Sequence, residues 1–299
     1  MSPPAAPAPQ PVLPDVLLED IFLRLDALAD LARASAACTT FRRVISGRRF
    51  RSLRPAPVLG FLEFDAPGNF CPAEPPHRYS PAARGLAQFA DFTFSFLPGG
   101  PIGWHVCDAR DGRVLLYRSS FTAYFVDLVV CDPLHRRYVQ LAPIHDCRRG
   151  SMGELAFEDF DTFLDPATER DKEEQDLPFR VICAEHYQRK LVTYRFSSVT
   201  RKWCRNTFSR STPLDPTTAR FCPWFERQYV HSCFYWVLLG IGMGSLDILD
   251  THEMKFYVLD QLPGENAGPQ ALGIVETGGG RLGIVNAADD ILEFYSKQS

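Results

Sequence analysis

The sequence predicts an α+β, multidomain chain: a small three-helix module followed by a mostly antiparallel, all-β, β-propeller-like domain. Three observations predict it. Apolar residues recur at helical spacing only up to Phe50. From Pro55 onward, short aromatic and β-branched runs alternate with Gly, Pro and polar turn signals. Within that region a unit of polar turn, basic residue and aromatic recurs three times.

Residues 1–12 are rich in Pro and Ala and are expected to form a disordered, extended leader. They lack the basic and apolar regions of a secretory signal. Pro14 suits the first turn of a helix, where its missing N–H costs nothing. Val16, Leu17, Ile21, Phe22 and Leu25 then fall on one broad apolar face. Asp30 is expected to cap a second short helix over 31–34. Thr39 or Thr40 is expected to cap a third, carrying Phe41, Val44 and Ile45 and ended by Gly47. The module, bounded at 13–54, is too small to bury all its Leu, Ile and Phe. Its excess apolar surface implies a partner; on spacing alone, an inward-facing cap on the β domain stays open.

The β region spans 55–299. Strands are expected at 114–116, 124–131, 138–141, 180–184, 191–196, 233–239, 246–249, 256–259, 272–276, 282–286 and 291–295. Gly278, Gly279 and Gly280 read as a hairpin loop. No helical pattern of comparable strength follows residue 50. The repeated unit places Tyr138 six residues after Asp132, Trp203 six after Ser197 and Phe256 six after Asp250. Each copy reads as strand, polar turn, then a strand opened by an aromatic. Residues 57–299 hold about five blades at the usual propeller period. No closing strand is identifiable, so a short or incomplete propeller is expected. The stretch 154–176 holds ten Asp/Glu against Arg170 and Lys172 and reads as an exposed acidic loop.

A net charge of −4 gives no bias toward nucleic acid or membrane. The apolar stretch 233–246 is too short to span a bilayer and reads as a buried strand pair. The nine cysteines are scattered, odd in number and without a Cys-x-x-Cys pair. They read as reduced thiols of an intracellular protein, cytoplasmic, nuclear or both.

The N-terminal module resembles an F-box. The residues that carry the likeness are Leu13, Pro14, Asp15, Leu17, Ile21, Phe22, Arg24, Leu25, Leu31, Cys38, Phe41, Arg42 and Ile45. Many members carry Trp where this chain has Phe41, and the second helix is unusually rich in Ala. The segments 111–116, 130–138 and 276–283 look like the propeller-like tail of grass F-box proteins. Such tails continue well past the position of Tyr295, so an incomplete recognition domain is expected.

The resemblance implies a non-catalytic substrate adaptor of an SCF-type ubiquitin ligase. Its helices would dock on an Skp-family adaptor, which bridges to a cullin scaffold, and its tail would present an unknown target protein. The implied adaptor-binding residues are Leu13, Pro14, Val16, Leu17, Ile21, Phe22, Leu25, Leu31, Cys38, Phe41, Arg42 and Ile45. Between Arg33 and Arg54 there are seven Arg and no acidic residue. Such a basic rim would suit an acidic adaptor surface and speed association.

Other chemistry is weakly signalled. His105/Cys107, His145/Cys147 and His231/Cys233 each put two soft ligands on one strand face, but without structural-zinc spacing. They read as buried Cys beside a polar His, and no metal or cofactor is expected. Gly240, Gly242 and Gly244 lack the third glycine of a dinucleotide fingerprint and read as a turn. The basic–aromatic pairs at 136–138 and 201–203 read as blade turns rather than a nucleic-acid face. The runner-up function is a ligase-independent propeller-like protein-binding scaffold, and a distant third is a propeller hydrolase.

Overall fold

The computed structural model describes residues 13–25, 27–54, 57–63, 69–120, 123–144, 161–165, 178–211, 213, 227–239, 244–260, 271–277, 281–288 and 291–296. The chain divides into two compact units, Met1–Ser95 and Phe96–Ser299. The change of character at Pro55 does not coincide with that division, because a short hairpin and a fifth helix belong to the first unit.

The first unit begins with four helices: α1 Asp15–Leu23, α2 Leu28–Ala37, α3 Thr39–Ile45 and α4 Arg48–Leu53. Their shared core is Leu18, Phe22, Leu31, Val44 and Phe50, flanked by Leu25, Phe41 and Ile45. Three local expectations are corrected. Asp30 is not the cap of α2; Ala27 is, and Asp30 lies in the first turn, where it pairs with Arg33. Neither Thr39 nor Thr40 caps α3. Cys38 does, its Sγ accepting from Phe41 N–H at 3.4 Å. Gly47 does follow the end of α3, one residue past its C-cap Ser46, but it also serves as the N-cap of a further, unexpected helix, α4.

The unit continues with β1 Gly60–Leu62 and β2 Phe70–Pro72, paired antiparallel, and with α5 Ser80–Phe89. Helix α5 corrects the expectation of no helix after residue 50. It buries only Ser80 and Ala83. Pro81 in its first turn suits the helix start, and Ala82, Leu86 and Phe89 recur at helical spacing.

The second unit consists of antiparallel meanders. β3 His105–Arg110, β4 Arg113–Ser120, β5 Ala123–Asp132 and β6 Arg137–Gln140 form the first sheet. β7 Asp161–Asp165, β8 Arg180–His186, β9 Lys190–Ser197 and β10 Lys202–Ser209 form the second. β11 Gln228–Val230, β12 Cys233–Leu239, β13 Gly244–Asp250 and β14 Lys255–Asp260 form the third. β15 Ala271–Thr277, β16 Arg281–Ala288 and β17 Ile291–Ser296 form a three-stranded fourth. The first strands of neighbouring sheets approach each other, β3 beside β7 and β11 beside β15. This is a β-propeller-like arrangement, with four sheets among the described residues where the period allowed about five.

The inner strands of the second and third sheets are buried on both faces, and strand periodicity shows how. On β8, Val181 and Cys183 pack against the first sheet through Leu115, Leu128 and Val130. Ile182 and Ala184 point the other way, onto Phe234, Trp236 and Leu249 of the third sheet. On β12, Phe234 and Trp236 face the second sheet, while Tyr235 and Val237 pack against Ile274 of the fourth. Successive side chains leave a strand on opposite faces. A strand sandwiched between two sheets therefore reads as a continuous apolar run.

The repeated unit is the hairpin between the third and fourth strands of each four-stranded sheet. Asp132 pairs with Arg137, Ser197 with Lys202 and Asp250 with Lys255 across it. The first residue of each pair caps the turn. Asp132 accepts from His135 N–H at 3.1 Å, Ser197 from Thr200 N–H at 3.5 Å and Asp250 from Glu253 N–H at 2.9 Å. The residue two before each aromatic is left-handed: Arg136 (φ 53°), Arg201 (φ 53°) and Met254 (φ 51°). Trp203 then donates its Nε1–H to the Ala142 carbonyl at 2.6 Å, and Phe256 packs on Phe208 at 6.0 Å. Two of the repeated aromatics thus fasten their sheet to the preceding one.

The acidic stretch 154–176 is not simply an exposed loop. Its centre is β7, buried along its whole length; the remainder lies outside the described residues. The two carboxylates of β7 are compensated to different degrees. Asp161 accepts from Trp236 Nε1–H at 2.6 Å and from Arg227. Asp165 lies opposite Arg180 and 3.6 Å from its guanidinium.

Candidate docking surface

Helix α1 has two apolar faces rather than one. Leu18 and Phe22 are buried and Leu25 is half-buried in the module's own core. Leu13 is 50% exposed, and Val16, Leu17 and Ile21 are each 48% exposed. At 3.6 residues per turn Val16, Leu17 and Ile21 fall along one outward stripe with exposed Asp20 and Arg24, and exposed Leu13 and Pro14 precede the helix. The expected single face is therefore corrected. Phe22, only 4% exposed, is the internal anchor of the module. It meets Phe41 edge-on at 5.1 Å, the favourable geometry for an aromatic pair.

The other expected docking residues divide the same way. Leu31 is buried, Ile45 and Phe41 are partly buried in the core, and Arg42 is exposed. Cys38 is exposed, with its sulfur committed to capping α3.

The basic rim is substantially consumed within the module. Arg43 makes a two-pronged contact with Asp15 of α1, at 2.6 and 2.8 Å. The hydrogen bond from Arg43 lowers the Asp15 carboxyl and raises the guanidinium in return. Arg49 pairs with Glu19 at 3.1 Å. Arg54 donates to the carbonyls of Phe22 and Leu25 at the C-terminal end of α1. That placement satisfies carbonyls the helix leaves unpaired and suits its negative end. Asp15, Glu19, Arg43, Arg49 and Arg54 were not foreseen as a set. The available signal was acidic residues two turns or less into α1 facing a long Arg run.

The second unit holds two buried polar networks, both between sheets. Arg210 donates to Asp247 at 2.6 Å through Nη1 and again through Nη2, and both side chains are fully buried. His186 Nδ1 lies 3.0 Å from Arg210 Nη2 and 3.3 Å from Asp247. Burial acts to raise the Asp247 carboxyl, but hydrogen bonds from His186 and Arg210 outweigh it and leave it lowered. In the other network, Arg227 bonds Asp161 and sits 3.5 Å from Asp108. Asp108 also accepts from Leu164 N–H at 2.9 Å. Three sheets meet there, and the groups satisfy one another, as buried charges must.

The His-x-Cys pairs do not converge. The His105 ring lies 5.1 Å from the Tyr117 ring, and His231 sits in the turn before β12, 3.5 Å from Glu276. Burial pushes the Cys107 thiol well up. His145 and Cys147 lie outside the described residues. Among those described, no group of three or more His, Cys, Asp or Glu is placed to hold a metal, and no helix is long and apolar enough to cross a membrane.

No family model matches the chain. No curated protein matches it in sequence. Among solved structures it is similar to the β-propeller domain of Nup133 from Vanderwaltozyma polyspora, at 8% identity and TM-score 0.28, over 65% of this chain and 55% of that one. This chain thus spans about half the length of that domain. It is also similar to the GH93 α-L-arabinofuranosidase of Fusarium graminearum in complex with arabinobiose, at 6% identity and TM-score 0.29, over 66% of this chain and 68% of that one. Likeness at this level carries no inference about fold or activity.

Proposed function

We propose that the chain is a non-catalytic substrate-recognition adaptor of an SCF-type ubiquitin ligase. Helices α1–α4 dock on an Skp-family adaptor, which bridges to a cullin, and the sheets of the second unit bind the target protein. The observation that carries this reading is the outward stripe Val16, Leu17 and Ile21, preceded by exposed Leu13, on a module whose core is already closed by Leu18 and Phe22. Covering the exposed half of four large side chains is worth roughly 3–6 kcal/mol gross. Association itself costs about 4–15 kcal/mol. The stripe therefore needs polar contacts beside it, which exposed Arg42 and Arg24 are placed to provide.

The test is capture of the full chain by purified Skp-family adaptor. Leu17→Asp/Ile21→Asp changes only exposed positions, so the fold survives and binding should be lost. Leu13→Ala/Pro14→Ala should weaken it. Failure of the wild type to bind, or equal binding by the variants, overturns the proposal. It would favour the ligase-independent scaffold, a reading supported by the internal use of Arg43, Arg49 and Phe22.

A further inference from the structure

The fourth sheet of the second unit is one strand shorter than the other three: its order is β15-β16-β17. Among the described residues, no strand pairs with the outer edge of β17. That edge is regular. β16 and β17 pair without a register shift from Gly283 with Ser296 to Ala288 with Ile291. β17 carries neither a Pro nor a bulge, two devices that blunt an exposed edge.

A second observation marks the same place. Leu246 and Ile248 of β13 belong to the face of the third sheet that packs against Ile274 and Ile284 of the fourth. Their cross-strand partners on β14 are Leu259 and Tyr257, and residues directly opposite each other share a face. The cover ends between the two strands: Leu246 is 3% exposed, but Tyr257 is 47% and Leu259 53% exposed. The second sheet shows how such a position is covered. There Phe208 of β10 is met at 6.0 Å by Phe256, the aromatic that opens the fourth strand of the next sheet.

The complete sheets also show what kind of strand fits. Each fourth strand opens with a basic residue and then an aromatic: Arg137-Tyr138, Lys202-Trp203 and Lys255-Phe256. β17 ends in Tyr295-Ser296, as β9 ends in Phe196-Ser197, and on β9 those two residues lie opposite Trp203 and Lys202. We infer that the edge of β17 takes an extended segment of a partner protein, added antiparallel and opening with a basic residue and an aromatic. Backbone hydrogen bonds to the edge hold such a segment, and pockets for its alternate side chains select it. Its aromatic covers Tyr257 and Leu259 as Phe256 covers Phe208. The inference rests on the reading of the second unit as the target-binding part and names the form of the target.

Fluorescence anisotropy on the full chain under reducing conditions tests it. The probe is a labelled peptide copying residues 198–209, the turn and fourth strand of the second sheet, and it should bind saturably. Three changes should each weaken binding by about tenfold or more: Trp203→Ala in the peptide, N-methylation of the peptide nitrogens that face β17, and Tyr257→Ala/Leu259→Ala in the protein. That protein variant should capture the Skp-family adaptor as wild type does, so failure of this inference and failure of adaptor docking read out separately. The inference is overturned if the peptide does not bind at millimolar concentration, or if any of the three changes leaves binding undiminished. A stable dimer of the full chain that the peptide does not dissociate also overturns it, because a second copy then fills the edge. So does a free chain whose β17 amides exchange as slowly as those of β16, because the chain then covers its own edge.

Discussion

Arg210 and Asp247 bridge the second and third sheets through two hydrogen bonds with both side chains at 0% exposure. Neither residue belongs to an expected motif, and they lie 37 positions apart in the chain. A charge so buried has no solvent to fall back on, so each group depends on the other for its compensation.

Asp247→Leu and Arg210→Met should each cost about 3–5 kcal/mol, because each leaves the other charge buried without its partner. Arg210→Met/Asp247→Leu, which removes both charges, should cost less than the sum of the two single changes. Urea unfolding of the four proteins reads the coupling directly.

Asp247 and Asp165 should leave opposite signatures in stability against pH. The Asp247 carboxyl is lowered, so its contribution is present above the ordinary aspartate value of about 3.9 and is lost as pH falls through its folded value. The Asp165 carboxyl is raised by burial against the pull of Arg180. Its contribution is therefore present below the ordinary value and is lost as pH rises through its folded value. Asp247→Asn should flatten the acid limb of the stability curve, and Asp165→Asn should relieve destabilisation on the neutral side. An Asp165→Asn protein that is no more stable relative to wild type at neutral than at acid pH would contradict this.

The two faces of α1 separate stability from docking. Phe22→Ala should destabilise by about 3–5 kcal/mol, since it opens a cavity beside Phe41 and Phe50. Leu17→Ala or Ile21→Ala should stay within about 0.5 kcal/mol of wild type. Chemical denaturation of the first unit's transition within the full chain distinguishes them.

The turns offer a matched pair of backbone tests. Gly112→Ala should cost roughly 1–2 kcal/mol, the penalty of a side chain in the left-handed region. Nothing lies within 4 Å of the added methyl, so sterics add nothing. Met254→Gly should be neutral or stabilising by up to about 1 kcal/mol, because the left-handed strain is relieved at some cost in chain entropy. Thermal melts read both.

Thiol labelling should follow burial. Burial pushes Cys131 and Cys183 up to about 12, so neither is a thiolate near neutral pH. Cys38 and Cys204 are exposed. Iodoacetamide under native conditions should modify Cys38 and Cys204 first and reach Cys131 and Cys183 only on unfolding. Peptide mass spectrometry locates the label.

All eleven expected strands are present, their apolar and aromatic runs bounded by turn signals. The strands that went unseen share a different character. β7 is acidic, and its carboxylates become acceptable only where Arg227, Trp236 and Arg180 arrive from elsewhere in the chain. β3 carries a register shift between Val106 and Asp108, which breaks its alternation.

Local chemistry alone determined the helical start, the sheets and the repeated turn, since caps, propensity and periodicity act over a few residues. Asp132, Ser197 and Asp250 could be aligned by eye because each caps a turn within its own hairpin. Which apolar residues face inward was a tertiary decision. Val16, Leu17, Ile21, Phe22 and Leu25 share a hydrophobic character, but only the placement of α2–α4 divides them into core and outward stripe. The same holds for charge: Arg43 and Arg49 read as a free rim until packing sets Asp15 and Glu19 beside them. Long-range pairs such as Arg210 with Asp247, and Arg227 with Asp161, depend on how whole sheets stack, and no short window of sequence contains that information.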